Sequence, residues 1–298
     1  MSLLIVGSIA LDTVFTPFGK REDILGGSTV YTSMASKNFC QTNIVGVVGE
    51  DFPKEHIELL KSNDIDTEGM EIVPGKTFRW KGVYNDLNRA ETLDTQLNVF
   101  AEFNPRIPEN YKKCNYVFLG NIDPVLQLRV LVQMQDPKVT ACDTMNFWIS
   151  GNKDALLKVI KKVDILFINE EEIKMLINES NIYQAAEIAL SFGPKIVVIK
   201  CGEHGSVCIG DNFIFFAPVY PVKKAVDPTG AGDSFAGGFM GYLTRKDNFD
   251  KDTIRNAMIY GTIMASFCVE SFSLERVKDL TFEMIEIRKE KIRESVIF

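Results

Sequence analysis

The sequence predicts an α/β fold: a Rossmann-like, mainly parallel sheet with helices on both faces, plus a small β-sheet lid. Short, continuously apolar segments alternate with stretches of helical periodicity along most of the 298 residues, which is typical of buried parallel strands covered by helices. Two segments, about 12–25 and 74–104, interrupt this rhythm with β-type and aromatic residues that lack a helical period. We therefore expect a single domain over residues 1–298, with these two segments inserted as the lid.

The elements follow in order from the N-terminus. Apolar runs such as 165–168 and 196–199 have the length of strands. Within the lid segments, 78–84 and 97–103 have the composition of antiparallel strands. The predicted strands of the main sheet are 3–6, 43–48, 116–120, 139–143, 165–169 and 196–200, and the predicted helices are 29–39, 53–62, 124–135, 153–160, 170–177 and 182–191.

Composition and charge argue against several classes of protein. The net charge is −7 and no basic stripe is present, so nucleic acid is not expected as a partner. The first residues lack the basic start of a signal peptide, and no apolar run has the length of a membrane span. The six cysteines are scattered without a C-x-x-C pair, which indicates reduced thiols and a cytoplasmic location. The presence of only two histidines argues against a multi-histidine metal site or a histidine-based triad.

The most informative segment is D-P-T-G-A-G-D at positions 227–233, followed at once by a helical stretch that ends at Leu243. A helix N-terminus has unpaired N–H groups and a partial positive charge, and glycines let its backbone approach a phosphate. The carboxylate of Asp233 would repel a phosphate, but it suits a proton acceptor for a neighbouring hydroxyl. An acid that only favours the helix dipole is the alternative, yet it does not account for the whole string. An anion cradle beside a base indicates a phosphotransferase.

The string at 227–233 has neither the Gly-Lys-Ser/Thr of a Walker A loop nor the third glycine of a dinucleotide fingerprint. It closely resembles the C-terminal signature of the ribokinase-like (PfkB) family of carbohydrate and nucleoside kinases, with Pro228 where threonine is commonest. The pair Gly26-Gly27, before the first helical stretch, resembles the N-terminal signature of that family. The resemblance covers nearly the whole chain and implies a ribokinase-like fold with Asp233 as the catalytic base. It also implies an anion hole formed by the backbone N–H groups of Gly230, Ala231 and Gly232.

The resemblance further implies an acceptor site beneath the lid. Asp12 matches an acidic residue at the end of strand one that accepts hydrogen bonds from acceptor hydroxyls. Tyr31 stands where the family usually has asparagine, which favours an acceptor pocket different from that of ribokinase. Aromatic lid side chains either stack on a base or form the lid's own core or a dimer contact: Phe78, Trp80, Tyr84, Phe100 and Phe103. The residues assigned to the acceptor are Asp12, Gly26, Gly27, Tyr31, Trp80, Asn121, Asp143 and Asn146.

The resemblance also assigns a nucleotide side. Asn169 and Glu172 match the family's N-x-x-E motif, whose glutamate holds Mg²⁺ through water. Some members of the family need K⁺, and Asp227 and Thr229 occupy the matching region. The residues assigned to ATP are Asn169, Lys200, Gly202, Gly205, Asn256 and Gly261.

Together these assignments predict an ATP-dependent kinase that transfers the γ-phosphate to a primary hydroxyl, with Asp233 as general base. An adenosine-like nucleoside is preferred as the acceptor, and ribose, fructose or a related carbohydrate is the alternative. A non-catalytic family member that acts as a binding or regulatory module is a more remote alternative, which the intact G-A-G-D argues against. The lid of this family often pairs two subunits, so a homodimer through the lid is expected, with no membrane partner.

Overall fold

The computed structural model describes residues 1–87 and 89–296. The strands are β1 (Ser2–Val6), β2 (Ala10–Thr16), β3 (Gly19–Gly26), β4 (Gln41–Gly49), β5 (Ile65–Val73), β6 (Phe78–Asp86), β7 (Arg89–Gln96), β8 (Tyr116–Leu119), β9 (Val139–Cys142), β10 (Ile165–Asn169), β11 (Ile196–Lys200), β12 (Ser206–Gly210) and β13 (Phe213–Ala217). The helices are α1 (Ser28–Ser36), α2 (Lys54–Ser62), α3 (Pro124–Leu131), α4 (Asn146–Gly151), α5 (Lys153–Ile160), α6 (Glu170–Ile177), α7 (Ile182–Leu190), α8 (Ala231–Lys246), α9 (Lys251–Cys268) and α10 (Phe282–Val296).

The main sheet has nine strands in the order β13-β12-β11-β10-β9-β8-β1-β4-β5. From β11 to β5 along this order, each strand pairs in parallel with its neighbour. At the other edge, β12 pairs antiparallel with β11, and β13 pairs antiparallel with β12. The predicted α/β fold class is confirmed. The prediction missed β5, because this edge strand mixes polar residues with Gly69 and has no continuous apolar run. Since parallel strands end at one edge of the sheet, the polar residues that follow them meet there.

The core lies on both faces of this sheet. One cluster packs α1, α8 and α9 against it through side chains such as Met34, Phe239 and Met264. The other packs α3, α5, α6 and α7 against the opposite face. Every residue of β8 and β9 is buried, which explains why these strands are apolar throughout except for Thr140. Helix α1 begins at the edge where the strands end, since Ser28 lies against Gly7 and Gly120, which follow β1 and β8. Helix α8 begins at the same edge, since Gly232 lies against Lys200 at the end of β11, and this positions the turn at 227–233.

The lid is a separate four-stranded sheet in the order β3-β2-β6-β7. Strands β2 and β6 pair in parallel, and the two outer pairs are antiparallel. The outer strand β7 is exposed at every residue, so its sequence carries no apolar alternation that would have predicted it.

The prediction of a lid strand at 97–103 was wrong. This segment contains a short 3₁₀-helix, Asn98–Glu102. Phe100 and Phe103, three residues apart, lie on one side of it with stacked rings, and Phe103 is buried in the core of the main domain. Phe100 also stacks on Phe78. These three rings therefore fasten the lid to the domain, and burial of the aromatic pair outweighs the strand propensity of the segment.

No helix within 1–87 and 89–296 is both long and apolar enough to cross a bilayer.

Candidate active site

The turn at 227–233 opens helix α8. Gly230 is the N-cap of this helix with φ 76°, in the left-handed region that favours glycine. A Cβ on Gly230 would lie 2.2 Å from the ring of Tyr31, so both the backbone and the available space require glycine. Asp233 follows in the first turn of the helix. The N–H groups of that turn lack intrahelical partners, which is the condition for anion binding.

Asp227 shapes the turn from within. Its Oδ1 accepts a hydrogen bond from the N–H of Thr229 at 2.9 Å, and the Sγ of Cys268 donates to the Thr229 carbonyl oxygen at 3.3 Å. Asp227 Oδ2 is buried and has no hydrogen bond of normal geometry, although the backbone N–H of Ser273 lies nearby. Burial raises the pKa of the Asp227 carboxyl. This oxygen therefore remains able to bind a cation or a water molecule.

Asp233 has the ionisation behaviour of a general base. Burial raises the pKa of its carboxyl to about 7, and the negative charge of Asp143 adds to the rise, whereas Lys200 lowers it. Desolvation thus outweighs the favourable field of the helix N-terminus in the free protein. A carboxyl with a pKa near neutrality accepts a proton far more readily than an ordinary aspartate does.

A buried ion pair lies beside this turn. The Nζ of Lys200, at the end of β11, is 2.6 Å from Oδ2 of Asp143, which follows β9, and the two side chains are 18% and 5% exposed. Burial alone would lower the pKa of Lys200, but Asp143 and Glu172 raise it, so the ammonium stays charged. A Cβ on Gly232 would lie 3.2 Å from the same Nζ. The structure therefore places a positive charge against the turn at 227–233, called the anion turn below. It also joins Lys200, which the sequence assigned to ATP, to Asp143, which the sequence assigned to the acceptor.

Glu172 has a local structural role as well as its predicted one. Asn169 and Glu172 form a capping box at the start of α6: the Asn169 side chain accepts from the Glu172 N–H at 2.8 Å, and Glu172 Oε2 accepts from the Asn169 N–H at 2.9 Å. Burial raises the pKa of Glu172 to about 7, Lys200 lowers it, and Asp143 raises it further. The cap uses one carboxylate oxygen and so holds the side chain at the sheet edge without consuming the other.

Asp12 lies in β2, the lid strand, and not at the end of strand one as the sequence comparison implied. Burial raises the pKa of its carboxyl to about 8, with contributions from the charges of Asp227 and Asp233. The Gly-Gly pair gives this carboxylate its space, since a Cβ on Gly26 would lie 1.9 Å from Asp12 Oδ2. Gly27 has φ 96°, and a Cβ there would lie 2.5 Å from a backbone carbonyl oxygen. The two glycines and the aspartate thus form one unit beside the turn at 227–233.

Tyr31 is 1% exposed in α1, with its ring against Gly230 and its hydroxyl buried without a hydrogen bond. Burial raises the pKa of this hydroxyl, and the charges of Asp12 and Asp227 raise it further. Tyr31 therefore lies between the carboxyl group of Asp12 and the anion turn.

Comparison with known proteins decides the family. A sequence model of the pfkB family carbohydrate kinases matches residues 22–278. The chain belongs to this family. It is accordingly a phosphotransferase with an alcohol group as acceptor.

Individual relatives of this pfkB-family kinase agree with that assignment. The chain is 32% identical over 252 residues to a cytidine kinase from Thermococcus kodakarensis, covering 82% of this chain and 89% of the relative. It is 27% identical over 287 residues to a nucleoside kinase from Methanothermobacter thermautotrophicus, covering 90% and 89%. The crystal structure of Methanocaldococcus jannaschii nucleoside kinase, described as an archaeal member of the ribokinase family, superposes with a TM-score of 0.77 at 22% identity over 97% of this chain and 98% of that one. This last similarity concerns the fold.

The other residues that the sequence predicts to contact the acceptor are less closely grouped in this pfkB-family kinase. Trp80 lies across Gly82 on the lid, and its Nε1 donates to Thr92. Asn146 is exposed at the start of α4. Asn121 accepts a hydrogen bond from the indole Nε1 of Trp148 at 3.0 Å. Sequence reasoning missed Trp148, although an aromatic pair, 147–148, directly follows the predicted Asn146 and was the available signal.

The predicted nucleotide-side residues have clear local roles. Gly202 is the first residue of a short 3₁₀-helix, Gly202–His204, between β11 and β12, and Gly205 follows it; their φ angles are 55° and 89°. The amide of Asn256 donates to the Asp252 carbonyl of its own helix. A Cβ on Gly261 would lie 2.9 Å from a carbonyl oxygen of α8, so this glycine permits α8 and α9 to pack closely. Their contact with ATP stays a prediction.

A cavity of about 570 Å³ lies away from these residues, at the base of the lid. Val47, Val73, Lys76, Phe103 and Arg106 are among the side chains that line it. None of the anion-turn residues borders this cavity, so its size does not identify the catalytic centre.

Proposed function

We propose that this protein is an ATP-dependent kinase that phosphorylates a primary hydroxyl of a nucleoside. The observation that carries the proposal is the half-buried carboxyl of Asp233 in the first turn of α8, next to the left-handed Gly230 and the ammonium of Lys200. Phosphoryl transfer to an alcohol requires a base, an anion-binding helix terminus and a fixed positive charge close to one another.

In this mechanism Asp233 accepts the proton of the acceptor hydroxyl as the hydroxyl oxygen attacks the γ-phosphorus of ATP. The bond between the γ-phosphorus and the β–γ bridging oxygen breaks, and ADP leaves. The N–H groups of Gly230 and Gly232 stabilise the negative charge on the transferred group. The N–H of Ala231 donates to the Pro228 carbonyl oxygen at 3.1 Å in the free protein, so it contributes only by sharing this hydrogen bond. Lys200, held by Asp143, adds a positive charge to the same side of the turn.

The donor set near the turn fits the metal ions that the family uses. Glu172 would hold Mg²⁺ through water, and when bound this ion neutralises the β- and γ-phosphates. Asp227 Oδ2, buried and unpaired, fits a monovalent cation such as K⁺, with the Thr229 carbonyl oxygen as a second donor. Each assignment rests on carboxylate or carbonyl oxygens, which are the ligands that such hard cations prefer.

Replacing Glu172 with glutamine should raise the Mg²⁺ concentration needed for half-maximal activity and lower kcat. Together the two effects should lower the activity at limiting Mg²⁺ by about 10- to 100-fold. Glutamine can keep the capping box but not the negative charge, so the fold should persist. A Mg²⁺ titration of kcat is the measurement, and Glu171→Gln is the matched control, because Glu171 is an exposed acid in the same turn. An Mg²⁺ titration identical to that of the wild type would remove Glu172 from the metal site.

The nucleoside preference is supported by two features. The relatives that align over most of the chain are named cytidine kinase and nucleoside kinase. On the acceptor side, the buried carboxyl group of Asp12 can form hydrogen bonds with ribose hydroxyls. Flat side chains such as Trp80 and Trp148 offer stacking surfaces for a base.

A kinase assay over a panel of acceptors tests the proposed function. We expect turnover of at least one of cytidine, adenosine and inosine with ATP and Mg²⁺, and weaker turnover of ribose and fructose. Asp233→Asn serves as the negative control for contaminating kinases. If ribose or fructose is turned over and none of the three nucleosides is, the acceptor is a sugar and the proposed nucleoside is wrong. If no compound causes acceptor-dependent release of ADP, the result contradicts a kinase of this class.

A further inference from the structure

One side chain of the lid reaches the anion turn. Tyr84, in β6, accepts a hydrogen bond at its hydroxyl oxygen from Oγ1 of Thr229 at 3.2 Å. Thr229 directly precedes Gly230, the N-cap of α8. The residue that begins the phosphate-binding backbone is thus tied to a strand that belongs to the other sheet.

Tyr84 is held rigidly by both parts of the molecule. Its side chain is 8% exposed and packs with Val14 of the lid and with Phe272 of the main domain in a small cluster of their own. Trp80 and Val226 pack against the same cluster from the lid and the main domain respectively. The hydroxyl therefore cannot leave the turn by a free rotation of the side chain, and a movement of the lid would carry it along.

Within the described residues of the lid, no side chain makes a comparable polar contact on the opposite side of the turn. Tyr31 packs its ring against Gly230, and its hydroxyl lies buried without a hydrogen bond in a space that it shares with Tyr84, Asp12 and Asp227. Asp227 and Cys268 fix Thr229 through its backbone. The side-chain hydroxyl of Thr229 thus gives a side chain of the lid a direct polar contact with the turn.

We propose that Tyr84 is a positioning residue that couples the lid to the anion turn, so that an acceptor bound beneath the lid fixes the backbone N–H groups that face the transferred phosphate. The proposal rests on the proposed kinase function. Its consequence is selectivity: with an acceptor in place the turn is held for transfer, and without one the turn is less well aligned and ATP is not lost to water.

Kinetics of Tyr84→Phe test this coupling, since only the hydroxyl is removed. We expect kcat for the nucleoside to fall about three- to tenfold, as for the loss of one neutral hydrogen bond, with the KM for ATP unchanged within twofold. The slow hydrolysis of ATP without acceptor should fall by clearly less than kcat for the nucleoside, because the turn is less well aligned without an acceptor in the wild type as well. Tyr183→Phe is the control, because Tyr183 is exposed on α7. A parallel fall in acceptor-free hydrolysis would show that Tyr84 only supports the structure, and would overturn the proposal.

A double-mutant cycle with Thr229→Val isolates the pair. If the hydrogen bond carries the coupling, the double variant should be no slower than the slower single variant. Effects that multiply would mean that the two side chains act independently, which contradicts the proposal.

Hydrogen–deuterium exchange separates this proposal from the kinase assignment, because it needs no substrate. Amides of the segment 227–233 should exchange faster in Tyr84→Phe than in the wild type or in Tyr183→Phe. Unchanged exchange in this segment would overturn the coupling whatever the enzyme phosphorylates, whereas faster exchange together with an inactive panel would leave the coupling supported and the proposed function contradicted.

Discussion

Replacing Asp233 with asparagine is expected to lower kcat by about 10²–10⁴, the usual effect of losing a general base, or roughly 3–5 kcal/mol of transition-state stabilisation. Asparagine keeps the shape and the place in the first turn of α8 but cannot take the proton of the attacking hydroxyl. ATP binding should survive, since in the proposed mechanism backbone N–H groups and Lys200 bind the phosphate. The measurement is kcat together with ATP affinity for this single variant.

Asp252→Asn is the matched control for Asp233→Asn. Asp252 is also an acid in the first turn of a helix, α9, but its carboxylate is exposed and pairs with Arg255. This control should retain wild-type kcat and folding stability. Near-normal turnover of Asp233→Asn would show that Asp233 only favours the helix terminus and that the proposed mechanism is mistaken.

The pH dependence gives a second readout of the same residue. The pKa of Asp233 is raised to about 7, so below that pH the carboxyl is protonated and cannot act as a base. The kcat/KM of the wild type should therefore rise as the pH increases through about 7 and level off above it. The residual activity of Asp233→Asn should lack this rise. If the variant keeps it, the titrating group is another carboxyl, and Glu172, with a pKa also near 7, is the first to test.

Gly230→Ala is expected to lower kcat by about 10²–10³, as for the loss of an anion-hole donor, and to destabilise the fold by about 1–3 kcal/mol. The new Cβ would lie 2.2–2.4 Å from three ring atoms of Tyr31, and φ 76° is unfavourable for alanine. Since Tyr31 is buried, relief of the clash must move the turn and misalign its N–H groups. Steady-state kinetics and thermal unfolding measure the two effects.

Gly151→Ala is the control for Gly230→Ala, because no atom lies within 4 Å of a Cβ at Gly151 and its φ is not positive. It should leave both kcat and stability close to the wild type. Full activity of Gly230→Ala would contradict the role of this backbone in phosphate binding.

Most of the main sheet could be predicted from local pattern, because buried parallel strands are continuously apolar. Strands β10 and β11 match the predicted bounds, 165–169 and 196–200. The lid was harder to predict. The segment 97–103 has strand-like composition, yet Phe103 is buried in the main core and the chain there forms a 3₁₀-helix. The real outer strand, β7, is polar and exposed, and no local pattern reveals it.

The sequence by itself determined the chemistry of the turn: the glycines that allow a left-handed N-cap, the helix that follows and the acid in its first turn are all encoded within positions 227–233. Only the tertiary structure decided the charge state and neighbours of these groups. Lys200 meets Asp143 and Gly232, and Tyr84 meets Thr229, across long stretches of chain that the fold brings together. The physical reason is that backbone conformation depends on adjacent residues, whereas burial, pKa and contacts between sheets depend on what packs around a side chain in space.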